Sequence, residues 1–431
     1  MAEILRNATL VELDPATIEV ADLRVDGQKI VARGPALPAQ PGDLETDLTG
    51  KLVMPGLVCG HAHLAFTLGR GAPPAGNAKP AVESLDKNWW RLDRALDPPT
   101  IEISAAAGAL EALLAGTTTV FDHHSSPSYI EGSLAAVQKG LEQVGLRGVL
   151  CYAVSDRLGP EYADAAVQEN ARFLEAVKQR PSGRVRGMVG AYASSSLDAE
   201  TLDKVVALAK AHGVGIHIHA AESTADDRDC QERFNKPLSQ RLTDTGVAGP
   251  ASIVAHGTCF AWEDLAAFLQ CGTWMCHLPR ANMLSGFGYA PAGRMGPRTV
   301  LGTENLAPDL FAEVRAAVER GADAGLVLDP LRLLSAGHKL ASQAFGASIG
   351  PLREDALADL LVLDYVPRQP LTPQTLAHHL VGGLSSRDVE SVMVDGCWRL
   401  WGRTPLKADT SKLSQKSTEA ASVLWETMAA L

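Results

Sequence analysis

Eight apolar, strand-like runs alternate with helical stretches from residue 55 to about residue 350, and this alternation is the feature that most restricts the fold. The runs are LVMPGLVCGHAH, TTTVFDHH, RGVLCYAV, VRGMVGAYA, GVGIHIHAAES, ASIVAHGT, GTWMCHLP and TVLGTEN. Segments rich in Ala, Leu and Glu, such as TIEISAAAGALEALLAG, lie between them. Eight β/α alternations over roughly 250–300 residues predict an α/β fold, a (β/α)₈ TIM barrel. A doubly wound sheet is the alternative, but it would not require eight repeats.

Short strands of a different character stand at both ends of the chain. Near the N-terminus, ATIEVADLRVDGQKIVARG alternates apolar and polar residues. After the barrel region come DLLVLDYV and VESVMVDGCWRLWG, with Asp395-Gly396 at a hairpin turn. We expect both ends to form one small β-sandwich domain, over residues 1–54 and 355–431, beside a barrel over residues 55–354. A helix is expected over the final segment, from Thr410.

Composition and charge argue against several classes of protein. The chain has 39 Lys and Arg against 50 Asp and Glu, a net charge of −11, which disfavours binding to nucleic acid. The sequence contains no run of about 18 apolar residues, so we expect no membrane span. The N-terminus shows no secretory signal. The seven cysteines are scattered and form no CxxC motif. They indicate reduced thiols in a cytoplasmic protein.

Histidines concentrate at the ends of the predicted barrel strands, where barrel enzymes build their active sites. Of the twelve histidines, nine fall between His61 and His277. His61 and His63 are two residues apart, so on an extended segment both face the same side. Two imidazoles placed in this way can reach one divalent metal at about 2.0–2.1 Å. A lone HxH can also arise by chance, but its position after Pro-Gly at a strand end favours a metal site.

A second motif, His217-Ile-His219-Ala-Ala-Glu222, ends the fifth predicted strand. His217 and His219 share a face, so the spacing alone does not say which of them binds a metal. Glu222 follows the strand and could shuttle protons beside a metal-activated water. The alternative is a buried structural histidine with a glutamate at a helix start.

Three further strand ends carry candidate groups. His256 ends the sixth strand and could be a ligand or a neutral donor to the reacting group. His277 ends the seventh strand and could equally be a core histidine. Glu304 ends the eighth strand, where its carboxylate could accept a proton or ligate the metal, or could belong to the start of the following helix.

Residues that could contact a substrate are less constrained by their spacing. His123 and His124 are adjacent at the end of the second strand, so at most one of them faces the barrel axis. Either a substrate contact or a structural hydrogen bond would explain that histidine. Arg70 could line the mouth of the pocket, and Asn282 could orient substrate or cap a helix.

Taken in order, these motifs resemble those of the amidohydrolase superfamily over nearly the whole chain. PGLVCGHAH, IHIHAAE, IVAHG, HLPRANM and LGTEN follow the order of the family's strand-end motifs, and ADLLVLD and VMVDG resemble its closing segments. Five ordered motifs are far more specific than any single one. The stretches Asn88–Asp97, Asp122–Leu134 and Glu304–Phe311 look most similar to the SsnA-type aminohydrolases, in the branch that resembles guanine and 8-oxoguanine deaminases.

The resemblance implies a hydrolase with one divalent metal ion, most simply zinc, with iron as the alternative. The ligands that it indicates are His61, His63 and His219, with Glu304 at the strand-eight position. It implies that Glu222 relays protons and that His256 polarises the attacked carbon's substituent or orients the water. The reaction that it implies is deamination of a purine-, pterin- or triazine-like heterocycle, by attack of metal-bound hydroxide and release of ammonia. A homodimer is expected from the resemblance alone.

The sequence departs from the family pattern at one position, because Glu304 stands where the family has Asp. Asp309 keeps its spacing five residues later, so the two sequences remain in register. The extra methylene moves the carboxylate by about one bond length, comparable with the tolerance of metal–oxygen distances. Two alternatives therefore stay open. One is hydrolysis of another C–N or a C–Cl bond, and the other is a weakly active or non-catalytic binding protein.

Overall fold

Two separate β-sheets organise the computed structural model, which describes residues 2–73, 89–180 and 183–431. Within these ranges the strands, numbered in chain order, are β1 (Glu3–Leu13), β2 (Ala16–Asp26), β3 (Lys29–Gly34), β4 (Leu44–Asp47), β5 (Leu52–Pro55), β6 (Leu57–Ala62), β7 (Thr117–His124), β8 (Arg147–Val154), β9 (Val185–Gly187), β10 (Val189–Ala193), β11 (Ile216–Ala220), β12 (Ile253–His256), β13 (Trp274–His277), β14 (Thr299–Leu301), β15 (Leu360–Leu363), β16 (Val389–Val394), β17 (Cys397–Trp401) and β18 (Thr404–Pro405). The α-helices are α1 (Trp90–Ala95), α2 (Pro98–Leu114), α3 (Ser133–Val144), α4 (Pro160–Lys178), α5 (Ala199–His212), α6 (Thr224–Phe234), α7 (Leu238–Asp244), α8 (Trp262–Cys271), α9 (Pro279–Leu284), α10 (Leu310–Asp323), α11 (Pro330–Phe345), α12 (Leu376–Gly382) and α13 (Thr410–Ala430).

The second sheet is a parallel barrel that confirms the predicted fold class. Strands β6, β7, β8, β10, β11, β12, β13 and β14 are neighbours in this order, and β9 pairs with β8 just before β10 begins. A bridge between Ala62 and Glu304 joins the last strand position to the first. The Thr303 amide also donates to the His61 carbonyl at 2.8 Å. The closure therefore brings the first and eighth strand-end motifs side by side.

The barrel strands are buried on both faces, which is why they appear in the sequence as apolar runs rather than as alternating patterns. All eight residues of β7 and all eight of β8 are buried. The helices that cover the barrel begin at recognisable signals. At the start of α2, for example, Asp97 accepts a hydrogen bond from the Thr100 amide at 2.9 Å and a proline follows.

The first sheet combines both ends of the chain, as the sequence predicted. Its order is β18-β17-β16-β15-β5-β1-β2-β3, with β4 paired to β1. The antiparallel pairing of β5 with β15 joins the N-terminal and C-terminal parts. The first predicted barrel run is divided by Gly56, because β5 belongs to this sheet and β6 to the barrel. The domain boundaries at residues 54 and 355 stay a prediction.

The C-terminal helix packs on the barrel beside the predicted site. Trp425 of α13 donates from its indole nitrogen to the Leu68 carbonyl at 2.8 Å, just after the His61–His63 motif. Arg91 of α1 donates to the Met428 carbonyl. None of the helices in the described ranges has the length and apolar character needed to cross a membrane.

Candidate active site

The carboxyl ends of the barrel strands bring most of the predicted histidines into one buried cluster. Two overlapping sets of donor atoms each lie within 4.8 Å of one another. One set is His61, His219, His256 and Glu304, and the other is His63, His123 and His219. The six residues involved lie in β6, β7, β11 and β12 or directly after β6 and β14, so the cluster exists only because the barrel closes.

Glu304 lies between the two histidines of the first motif. Its Oε2 atom is 2.7 Å from Nε2 of His61, and its Oε1 atom is 2.9 Å from Nε2 of His63. Oε2 also lies 3.7 Å from Nε2 of His256. Burial opposes ionisation, but the neighbouring His63 and His61 hold the pKa of the Glu304 carboxyl well below its ordinary value. The carboxylate is therefore anionic and within reach of three imidazoles.

The structure separates the roles of the two histidines in the second motif. His219 belongs to both donor sets, whereas within the described residues His217 belongs to neither. Nε2 of His217 instead lies 2.8 Å from Nδ1 of His61. Such a hydrogen bond orients a ligand ring and sets which nitrogen points at the metal. The spacing in the sequence could not distinguish these positions, since both side chains are on the same face of β11.

His256 is oriented by Asn282 from α9. Nδ1 of His256 donates to Oδ1 of Asn282 at 2.8 Å, because an amide oxygen can only accept. The Nε2 atom then faces Glu304 at 3.7 Å and the neighbouring Glu222 at 4.0 Å. Asn282, predicted as a substrate contact, lines the cavity above the cluster as well as holding His256.

Three strand ends at the site have left-handed backbone. The φ angles are 75° at His256, 56° at Glu304 and 51° at Ala221. Left-handed conformations cost non-glycine residues roughly 1–2 kcal/mol each. Such strain persists only where the surrounding structure determines it, and it concentrates at functional sites. Two of these residues, His256 and Glu304, belong to the donor cluster.

Glu222 lies at the edge of the donor cluster. Its Oε1 atom is 4.0 Å from Nε2 of His256. Burial raises the pKa of the Glu222 carboxyl to about 7. A carboxyl group with a pKa near neutrality can both hold and release a proton, as a general acid–base requires.

Aromatic side chains form one wall of the cavity that opens from the cluster. Phe66 stacks on the His63 ring at 5.2 Å between centroids, and Trp89 stacks on Phe66 at 6.2 Å. Tyr192 and Phe287 also line the cavity. The sequence patterns did not single out Tyr192 or Phe287. Tyr192 could have been found, because it ends the fourth predicted strand, but Phe287 follows a helix with no comparable signal.

Two of the predicted substrate contacts lie away from this cavity. Arg70 pairs with Glu111 and is not among the described residues that line the cavity. Nε2 of His124 lies 2.7 Å from the Ser126 hydroxyl, on the opposite side of β7 from His123. The expectation that at most one of the two adjacent histidines faces the barrel axis agrees with this arrangement. His123 faces the axis and joins the donor cluster.

His277 does not join the cluster. Its ring meets the Tyr289 ring edge-on at 4.9 Å between centroids, and it is fully buried. Burial lowers the pKa of His277 to about 3. Of the two roles that the sequence left open, this environment fits a neutral core histidine.

Comparison with known proteins places this geometry in context. The model described as Amidohydrolase family matches residues 52–399. A 5'-deoxyadenosine deaminase of Methanosarcina mazei is 28% identical over 434 residues, which cover 98% of this chain and 98% of the relative. An adenosine deaminase from Xanthomonas campestris with bound zinc superposes with a TM-score of 0.86 at 21% identity, over 98% of each chain. A zinc complex of atrazine chlorohydrolase from Arthrobacter aurescens has a TM-score of 0.83 at 24% identity, over 97% of this chain and 100% of the other.

Proposed function

Because the chain belongs to the amidohydrolase family of hydrolases, we propose that it deaminates a purine-, pterin- or triazine-like heterocycle with the help of one divalent metal ion. The observation that carries the proposal is the convergence of His61, His219, His256 and Glu304 within 4.8 Å, with Glu222 beside them. The names of the deaminase relatives support the choice of reaction.

The donor set fits a divalent transition metal. Neutral imidazoles and a carboxylate suit zinc and iron, and zinc is the simpler choice. Nε2 of His256 and Nδ1 of His123 are buried without a hydrogen-bond partner in the described part of the chain, as ligand or substrate-facing atoms would be. We assign His61, His63, His219 and Glu304 as the residues that hold the ion. The chemistry that a bound divalent ion supplies is activation of water at neutral pH.

The protein's own groups then divide the remaining work. Glu222 holds a proton near neutrality and gives it to the departing amine. His256, held by Asn282, presents Nε2 to the reacting centre. The stacked rings of Phe66 and Trp89 offer a flat apolar wall for a planar heterocycle. Together these contacts orient the ring carbon that loses ammonia.

The decisive experiment measures metal content and ammonia release together. The purified protein should contain about one zinc or iron ion per chain, and a panel of amino-substituted purines, pterins and triazines should reveal ammonia production. His219→Ala should abolish both, because His219 lies in both donor sets. The matched control is His378→Ala, at an exposed position on α12. Unchanged turnover in His219→Ala would contradict the proposal.

A second candidate is hydrolysis of a C–Cl or a different C–N bond on the same barrel. The structural likeness to an atrazine chlorohydrolase favours including it. Parallel assays of chloride and ammonia on chlorinated and aminated triazines separate the two reactions. Chloride release without ammonia would favour the second candidate.

We also propose that the protein acts in the cytoplasm as a homodimer. All seven cysteines are free thiols, as expected in a reducing compartment. Light scattering coupled to size-exclusion chromatography should give twice the chain mass of 45.5 kDa. A mass of one chain would contradict the dimer.

A further inference from the structure

The side-chain amide of Asn282, on α9, is fixed by its surroundings at one end. Its backbone is held on both sides, because the Asn282 amide donates to the Leu278 carbonyl at 2.9 Å and its carbonyl accepts from the Phe287 amide at 3.0 Å. Its Oδ1 atom accepts from Nδ1 of His256 at 2.8 Å. The other end of the side chain, Nδ2, is buried and has no hydrogen-bond partner among the described residues. Asn282 is fully buried, yet it lines the cavity above the histidine cluster.

The unpaired end of this amide is a hydrogen-bond donor. An amide nitrogen carries two N–H groups, so Nδ2 donates and does not accept. A buried donor that stays unpaired is costly, and native proteins therefore pair nearly all such groups with protein, water or ligand. Because Oδ1 is turned to His256, the orientation of the planar amide is determined and Nδ2 occupies its other branch. The cavity wall thus contains a donor of fixed direction that requires an acceptor.

The shape of the cavity favours one kind of acceptor. Phe66 and Trp89 stack with their ring planes 5° apart and line the same cavity as Asn282. A planar heterocycle that stacks on this wall presents its edge atoms to the polar residues around it. Because Nδ2 is recessed, its partner must project from the ring. An exocyclic carbonyl oxygen stands about 1.2 Å out from its carbon, whereas a ring nitrogen is flanked by ring atoms.

We propose that Asn282 is a specificity-determining residue whose Nδ2 atom donates a hydrogen bond to an exocyclic carbonyl oxygen of the substrate. The inference rests on the proposed function, and it narrows the heterocycle to one that carries an oxo group as well as the amine that leaves. An amino group in place of the oxo group would bring a donor against a donor, so the site should reject it. The same amide then serves both the substrate and His256.

The test exchanges the donor for an acceptor. In Asn282→Asp the carboxylate can still accept from Nδ1 of His256, but it has no N–H group to offer the substrate. The probes are pairs that exchange an oxo for an amino group: guanine and diaminopurine, pterin and diaminopteridine, ammeline and melamine. The full-length zinc-loaded protein is compared by the ratio of kcat/KM within each pair, or of Kd from calorimetry where no ammonia forms. Asn235→Asp, at an exposed position after α6, is the matched control.

We expect the wild type to favour the oxo member of at least one pair by about tenfold or more, since the analogue leaves the donor unpaired. Asn282→Asp should move that ratio by about a hundredfold toward the amino member, because the new carboxylate accepts from it. Asn235→Asp should leave the ratio unchanged. If Asn282→Asp lowers kcat for both members but keeps the wild-type ratio, Asn282 acts only through His256 and the inference is wrong. A wild type that favours the amino members also overturns it, because the cavity would then present the amide oxygen.

Circular dichroism establishes that each variant is folded. Should Asn282→Asp fail to fold, Asn282→Ala supplies the comparison. It removes the donor, so the two members of the pair should become nearly equivalent, and an unchanged ratio rejects the inference.

Failure of the inference and of the proposed function look different. Ammonia release with a preference that does not depend on Asn282 rejects only the inference. Binding with an oxo preference that depends on Asn282, without ammonia release, rejects only the deamination. A wild type that neither binds nor converts any of the probes rejects both.

Discussion

At the scale of single residues, Glu304 shows how one methylene group is accommodated at the site. The side chain reaches both His61 and His63, at 2.7 and 2.9 Å, from a backbone with φ of 56°. A shorter aspartate on the same backbone would place its carboxylate about one bond farther from these rings. The longer side chain therefore suits its backbone position. The presence of Glu in place of the family's Asp did not by itself indicate this match.

Glu304→Asp tests that match. The variant should bind metal less tightly and turn over about 100-fold more slowly, because displacing a catalytic group by about 1 Å costs on that order. Steady-state ammonia release and metal content of the two proteins would be compared. Higher activity in the aspartate variant would instead support the reading of the wild type as a weakly active or non-catalytic binding protein.

A buried carboxyl away from the site should make stability depend on pH. Burial raises the pKa of Glu313 from 4.5 to about 8, and its nearest cation is Arg280 at 3.3 Å. Because the folded-state pKa is the higher one, the associated stability is present below about pH 4.5 and is lost as pH rises through about 8. The free energy of unfolding would be measured with denaturant at pH 5, 7 and 9. Between pH 5 and pH 9, Glu313→Gln should lose less of it than the wild type. Glu319→Gln, exposed on the same helix, should follow the wild type.

At the scale of elements, the helices outside the barrel approach one another through small side chains. Gly140 of α3 faces the backbone of α2, where an added Cβ would lie 2.5 Å from the Glu102 carbonyl oxygen and 2.7 Å from the Ala106 nitrogen. This close contact sets how near α2 and α3 can approach one another.

Gly140→Val should therefore destabilise the protein, although glycine is a poor helix former. Overpacking typically costs about 1–3 kcal/mol, more than the roughly 0.5 kcal/mol that a better helix propensity returns. Ala135→Val, exposed on the same helix, should have almost no effect. Unfolding free energies from chemical denaturation would be compared. Equal values for the two variants would contradict the packing argument.

At the scale of the whole molecule, a buried ionic network joins the barrel to the sheet formed by the chain ends. Arg147, at the start of β8, contacts Asp359 at 2.8 Å and Asp395 at 2.9 Å. Asp359 precedes β15, and Asp395 is at the turn between β16 and β17. All three side chains are buried. The guanidinium thus neutralises two carboxylates that come from the far end of the sequence.

Arg147→Met should leave Asp359 buried without a cation, and Asp395 with Arg184 at 3.7 Å as its remaining cation. Breaking a buried pair in this way costs about 3–5 kcal/mol, so the unfolding midpoint in urea should fall sharply. Lys339→Met removes the exposed ion pair with Asp14 and should change stability by less than about 1 kcal/mol. Similar midpoints for these two variants would show that the network contributes little.

Much of the architecture could be read from local patterns. The predicted runs TTTVFDHH and RGVLCYAV coincide with β7 and β8, because a strand buried on both faces must be apolar along its length. The composite sheet at the chain ends and the hydrolase family were also confirmed. The ligand set and the domain boundaries remain predictions.

Local sequence patterns indicated which residues stand at strand ends, since apolar periodicity and turn residues are local properties. They could not choose between His217 and His219, nor place His123 in the donor cluster, because each choice depends on side chains from other strands. Only closure of the barrel, with Ala62 beside Glu304, decided those distances. The physical reason is that a metal centre depends on the three-dimensional positions of its donor atoms, and residues far apart in the chain acquire those positions only when the whole sheet closes.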